Sequence, residues 1–312
     1  MNPVSILLIL LWSYAVVFVI LLLKDIFTNR RSLNKNKLTQ NIVISGVSNF
    51  FDTLGIGSFG IAASLWKFTK SIPDSLIPGT LNTAFAIPTV VEASIYIHRI
   101  EMDIPTLALM IASSVIGASI GAGIIAKLNI TKIRLTMGIA LLAISAVTLC
   151  RLNAAGPFGI IGTAKGLDGR TLIAAVIGNF VLGALMPAGI GLYAPCMALV
   201  LLLGMSADAA FPVMMGSCAF LMPSAGITFI KEGRYHRGAA LPMAFAGVIG
   251  VLAASSLVTA LPLTLLAYLA CFVMILCAGT FFHDAWKSNA FRFKSFKRKK
   301  KLSNKKTERW RP

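Results

Sequence analysis

Two carboxylates stand in otherwise apolar sequence and are the first residues of this chain that could do chemistry. Asp52 lies within Asn49-Phe50-Phe51-Asp52-Thr53-Leu54-Gly55-Ile56-Gly57-Ser58, and Glu92 follows Pro88 by four residues. Ionisable groups inside membrane segments are costly and tend to be functional. A carboxylate in apolar surroundings can bind and release a proton near neutral pH, which makes both residues candidates for proton coupling. Blander roles stay open to each. Asp52 can cap a half-helix or pair with Lys67, and Glu92 can pair with His98 or Arg99 one or two turns on. Asp208 sits in a short loop, where solvation or helix capping suffices, and His98, His236 and His283 all stand at segment ends.

The second kind of candidate is a pair of glycine motifs. Gly55-Ile56-Gly57 is followed by Ser58 and Phe59, and Gly189-Ile190-Gly191 by Leu192 and Tyr193, with an offset of 134 residues. Pro78 and Pro212 share that offset, and Ala84-Phe85-Ala86-Ile87-Pro88 matches Ala219-Phe220-Leu221-Met222-Pro223 at 135. Three landmarks in one order at one spacing identify an internal repeat. Glycine and proline breaks at matching places in two halves are the sequence signature of a transporter site. A broken helix frees N–H groups that carry partial positive charge and suit an anion without a buried Lys or Arg. The candidate substrate-binding residues are therefore Asn49, Asp52, Gly55, Gly57, Ser58, Gly189, Gly191 and Tyr193, with Thr80, Asn82 and Ser217 near the later prolines. Thr80, Asn82, Ser217 and Ser224 can equally patch backbone groups that the prolines free, and the glycines can equally serve close helix packing.

The elements that must position these residues are membrane helices. Of 312 residues, 57% are hydrophobic and 13% charged, against about 25% charged in soluble domains. Val4–Leu23 is an uncharged run, and further apolar runs cover 104–126, 133–150, 171–186, 189–205, 209–230, 239–260 and 262–282. Two more, 42–66 and 75–97, are interrupted. About 20 residues cross a bilayer core, and runs without alternation exclude a barrel. The fold class is an all-α polytopic membrane protein of about 8–10 membrane segments in two inverted repeats, each opened by a broken or re-entrant glycine-rich segment. Residues 1–37 form a leading helix and a basic cytoplasmic loop, 38–151 the first repeat, 152–170 a connector, 171–282 the second repeat, and 283–312 a basic cytoplasmic tail.

Charge sets the orientation. Loops 24–41, 127–134 and 231–237 and the tail are basic and are placed inside. Segment 98–103, with Glu101 and Asp103, then falls outside. This requires each glycine segment to make an even number of crossings, as a hairpin does, and the two repeats then enter from opposite sides. The net charge of +18 concentrates at the end, with 12 of 29 basic residues after His283. That tail suits anionic headgroups of the bilayer and is not accompanied by a nucleic-acid-binding module. Residues 1–23 lack a charged leader and a cleavage site, so they read as an uncleaved helix. The five cysteines form no CxxC pair and indicate neither a disulfide framework nor a metal site. No P-loop, dinucleotide fingerprint, catalytic serine–histidine pair or cofactor motif is present, so the chain is read as a secondary transporter or channel without a cofactor and not as an enzyme. A homo-oligomer is compatible with it.

The stretches 49–60, 77–92 (IPGTLNTAFAIPTVVE) and 184–223 (ALMPAGIGLYAPCMALVLLLGMSADAAFPVMMGSCAFLMP) resemble the sulfite exporter TauE/SafE family of membrane permeases. The resemblance spans both repeats, roughly 40–282, and is sparser in glycine, with Phe59 and Tyr193 near the motifs. It implies a bacterial inner-membrane carrier that exports a small sulfur-containing anion, such as sulfite or an organosulfonate. Carriers of another solute or of a cation held by Asp52 and Glu92, and a non-transporting scaffold, are the alternatives.

Overall fold

The computed structural model describes residues 3–30, 37–73, 75–125, 130–153, 162–186 and 192–260, and 262–287 except for 261, 263, 266–267 and 270. Gly189, Gly191, the tail beyond 287 and residues 154–161 of the connector lie outside the described residues. The described chain is all-helical: α1 (Pro3–Thr28), α2 (Leu38–Thr53), α3 (Ser58–Thr69), α4 (Ile77–Ala84), α5 (Ala86–Arg99), α6 (Ile104–Ile125), α7 (Ile130–Leu152), α8 (Gly169–Leu185), α9 (Tyr193–Leu202), α10 (Ala210–Glu232) and α11 (Arg237–Ala260). Residues 271–287 are also helical. Among the described residues, three helices are long and apolar enough to cross a membrane: 3–28, 207–232 and 237–257.

The helices sort their faces as lipid requires. On α1, Leu11, Ala15, Phe18, Leu22 and Ile26 recur every three or four residues and are buried, while Ile9, Leu10, Val16, Val17 and Ile20 are exposed. Exposed apolar stripes also run along α8 (Ile173, Ile177, Val181) and α11 (Phe245, Ile249, Leu252). Water does not tolerate contiguous apolar surface of this kind, and acyl chains do.

Two breaks interrupt the first half. Gly55 adopts φ +86°, its N–H bonds the Asp52 carbonyl at 2.7 Å, and the Ile56 N–H bonds the Phe51 carbonyl at 3.1 Å. This is a Schellman cap that ends α2 and that a side chain would strain. The second break is at Phe85, because Pro88 has no N–H to offer the Ala84 carbonyl. The apolar run 42–66 thus becomes the α2–α3 pair and the run 75–97 the α4–α5 pair.

The helix ends gather at two poles. At one pole the Asp25 carboxylate accepts Arg237 Nε at 2.7 Å and Tyr235 Oη at 2.6 Å, Lys37 Nζ donates to the Thr69 carbonyl at 2.6 Å, and the His236 N–H donates to Thr80 Oγ1 at 3.0 Å. The other pole joins segments 99–106, 162–168 and 203–209. There Ala164 pairs with Met205 in a parallel bridge, the Asp103 N–H bonds the Lys165 carbonyl at 2.9 Å, the Leu167 N–H bonds Thr106 Oγ1 at 3.1 Å, and Lys165 pairs with Asp208. Asp208 is thus part of an ion pair. Both α2 and α3 end at the Asp25 pole, and both α8 and α9 at the Lys165 pole. Helices α2 and α3 are therefore a hairpin whose turn lies inside the bundle, and α8 and α9 return to one pole, with residues 187–191 between them outside the described residues.

Two seams hold the hairpins. Helix α2 packs along α11, and α8 along α6. Ser45 Oγ donates to the Met243 carbonyl at 2.7 Å, and Asn179 Nδ2 donates to the Met110 carbonyl at 2.7 Å. A Cβ on Gly250 would stand 2.2 Å from the Gly46 carbonyl oxygen, and one on Gly117 2.1 Å from that of Phe180. A Cβ on Gly247 would meet Asn49 Nδ2 at 2.8 Å, and one on Gly183 the Ser114 carbonyl oxygen at 2.1 Å. In all three pairs of contacts the partners are related by a shift of 133 or 134 residues, with the halves exchanged. Small residues at these points let the backbones touch.

Candidate functional site at the meeting of two hairpin tips

Asp52 sits in the last turn of α2, at the tip of the first hairpin. Its Oδ1 accepts the Ser58 N–H at 2.7 Å, so it caps α3 across the glycine turn, one of the roles open to it from sequence. Gly57, at φ +93°, precedes Ser58 and lets the chain reverse. Tyr193 opens α9 at the tip of the second hairpin, and its hydroxyl lies 3.4 Å from Asp52 Oδ2. One buried carboxylate thereby joins the tips of two hairpins that start from opposite poles. Gly55 packs beside the Met197 and Met214 methyls and the Phe211 ring, where a Cβ would stand 3.0 Å from the first.

Glu92, on α5, is wholly buried next to this junction. Neither carboxylate oxygen has a hydrogen-bond partner among the described residues. Asp52, Thr53 and Tyr193 are its polar neighbours. One turn on, Tyr96 Oη donates to the Thr53 carbonyl at 2.9 Å and fastens α5 to the end of α2. Thr53 Oγ1 donates in turn to the Asn49 carbonyl at 2.9 Å. Asn49 is buried, with Nδ2 on the Ser45 carbonyl at 2.9 Å and Oδ1 without a partner among the described residues.

The structure thus brings Asp52, Gly55, Gly57, Ser58, Tyr193 and Glu92 together, with Asn49 one turn back. Thr80 and Asn82 stand apart, near the Asp25 pole, where their side chains donate to the Leu76 carbonyl at 2.7 Å and the Pro78 carbonyl at 2.9 Å. Ser217 accepts Asn179 Nδ2 at 3.2 Å on the α8–α10 side. Tyr96 and Asn179 were not singled out from sequence. Each had a signal: Tyr96 is one turn from Glu92 on the same helix face, and Asn179 is a polar residue 134 positions after Ser45 in an apolar run.

Chemically, the junction offers two carboxylates, a phenol and the N-terminal ends of two short helices. The N termini of α3 and α9 carry partial positive charge. No lysine, arginine or histidine bonds either carboxylate among the described residues. Carboxylates so placed exchange protons or bind cations, whereas helix N termini attract anions. Protein-family models, curated proteins and solved structures yield no match to this chain.

Proposed function

We propose that the chain is a secondary membrane transporter, a permease of two inverted repeats that carries a small sulfur-containing anion together with a proton, with export as the direction the TauE/SafE resemblance implies. The observation that carries this reading is the contact of two hairpin tips, from opposite poles, at Asp52 and Tyr193. Hairpins that turn inside a bundle suit a carrier, because irregular backbone at membrane depth is tolerated where protein or a cavity surrounds it. At a rise of about 1.5 Å per residue, α2 and α8 reach about 24–26 Å and α3 and α9 about 15–18 Å, short of a core of about 30 Å. The exchanged seams, α2 on α11 and α8 on α6, support the reading of the two halves as inverted copies.

Coulomb's law supports proton coupling. An anion about 5 Å from an ionised carboxylate, at an effective dielectric of about 20, is repelled by about 3 kcal/mol, more than a hundredfold in affinity. Neutralising one carboxylate removes that repulsion, so anion and proton favour each other's binding. The test is flux of radiolabelled sulfite or a small sulfonate in proteoliposomes, with and without a pH gradient. Flux that the gradient accelerates is expected. If no sulfur oxyanion or sulfonate moves, the substrate assignment fails.

A second reading is a cation carrier. It is favoured by one observation, that the junction holds two carboxylates and no bonded basic group among the described residues. Flux of a monovalent cation, with none of any anion, would establish it.

A further inference from the structure

The two carboxylates at the junction have unequal surroundings, and the difference assigns them different tasks. We propose that Glu92 is the group that takes up and releases the coupled proton, and that Asp52 is a positioning residue whose carboxylate holds the two hairpin tips. This deepens the transport reading and rests on it.

Hydrogen-bond accounting separates the two. Each oxygen of Asp52 has a donor, the Ser58 N–H at 2.7 Å on Oδ1 and the Tyr193 hydroxyl at 3.4 Å on Oδ2. A proton on Oδ1 would face the Ser58 N–H, which cannot accept, and would cost the cap of α3, whereas a proton on Oδ2 would make the Tyr193 hydroxyl the acceptor. Either one cancels the negative charge that the two donors and the N terminus of α3 stabilise, so these surroundings favour ionised Asp52. Glu92 has no such link to lose. Both of its oxygens are fully buried without a hydrogen bond among the described residues. A proton from water forms an O–H bond on Glu92 and cancels a buried charge while leaving the hydrogen bonds of Asp52, Tyr96 and Tyr193 intact.

The groups around Glu92 leave it free for this task. On its own helix stand Tyr96, committed to the Thr53 carbonyl, and Arg99 at the helix end. Asp52 faces it from α2, Tyr193 from α9 and Cys218 from α10. Helices α1, α4, α10 and α11 also pack on α5. Their charged residues are Lys24, Asp25, Lys231, Glu232 and Arg237, all at the helix ends of the Asp25 pole, and α4 has none. No cation bonded to Glu92 is present among the described residues. Neither carboxylate is duplicated, since Met186 stands 134 residues after Asp52, and Gly226 and Ile227 stand 134 and 135 after Glu92. A single pair serves both hairpins, and only Asp52 bonds both tips.

Infrared difference spectroscopy of the purified full-length protein, titrated with acid and base, reads a buried carboxylic acid directly and needs no substrate. One titrating carboxylic-acid band is expected in the wild type, lost in Glu92→Gln, retained in Asp52→Asn and retained but shifted in Glu92→Asp. In proteoliposomes loaded with sulfite, Glu92→Gln should give flux that no longer varies with pH. Asp52→Asn should give slower flux with the pH dependence of the wild type. The absence of a band in the wild type, its loss in Asp52→Asn, or its persistence in Glu92→Gln would overturn the assignment. If the wild type moves no sulfur anion, the transport reading fails, while the spectroscopic arm still decides which carboxylate takes the proton.

Discussion

Alanine at Gly117 and at Gly250 should weaken the protein by similar amounts, although the two residues lie 133 positions apart in different helices. A methyl on Gly117 would stand 2.1 Å from the Phe180 carbonyl oxygen, and one on Gly250 2.2 Å from that of Gly46. Both obstacles are backbone, so neither can rotate away, and the paired helices must part by about 1 Å to restore contact distance. Such overpacking costs about 1–3 kcal/mol. Replacing glycine by alanine in a helix returns about 1 kcal/mol of propensity. Gly60→Ala isolates that gain, because nothing lies within 4 Å of the added methyl in α3. Both seam variants should thus fall below Gly60→Ala by about 1–3 kcal/mol, where each kcal/mol shifts Tm by about 2 °C. Thermal unfolding of the detergent-solubilised protein measures all three, and the double variant should show the sum, since the seams are separate. If Gly117→Ala or Gly250→Ala melts at or above Gly60→Ala, the close helix contacts that fix the hairpins are not formed as described.

Two predictions concern the Asp25 pole. Arg237→Ala strips the partly buried Asp25 of its charged partner and should cost about 1–3 kcal/mol in thermal unfolding, with Arg237→Lys losing less because the charge stays while the two-pronged contact goes; equal melting of all three proteins would refute the pairing. His236, in the loop before α11, has its imidazole pushed below the usual histidine range by burial, opposed by a backbone hydrogen bond. Above its ordinary value of about 6.5 both folded and unfolded chains hold it neutral, and below it the unfolded chain takes a proton that the folded one resists. Stability should therefore fall as the pH drops from about 7.5 to 5.5, and the fall should be shallower in His236→Gln; identical slopes in the two proteins would refute this contribution.

Much of the architecture was written in residue types. Apolar runs required helices, because backbone polar groups in lipid must bond within their own segment. Gly55 and Pro88 marked the breaks, because one permits a left-handed turn and the other lacks an N–H. The 134-residue spacing pointed to a repeat, and the even-crossing rule drawn from charge asked each glycine segment to turn back, as the chain does at Gly55 between α2 and α3. The carboxylates Asp52 and Glu92 were legible because so few charges interrupt the apolar runs.

Sequence alone left the partners of these groups open. Lys67, His98 and Arg99 were candidate mates by spacing; the Lys67 side chain lies outside the described residues, Asp52 caps α3 and touches Tyr193, 141 residues away, and Glu92 has no hydrogen-bond partner among the described residues. Thr80 and Asn82 matched the site by proximity to proline, yet they bond helix carbonyls at a pole of the bundle. Periodicity and spacing report forces that act along the chain, such as backbone hydrogen bonding and steric permission at φ. Which carboxylate keeps two hydrogen bonds and which is left bare depends on how two hairpins meet, and only the packing of α2, α5 and α9 against one another decides that.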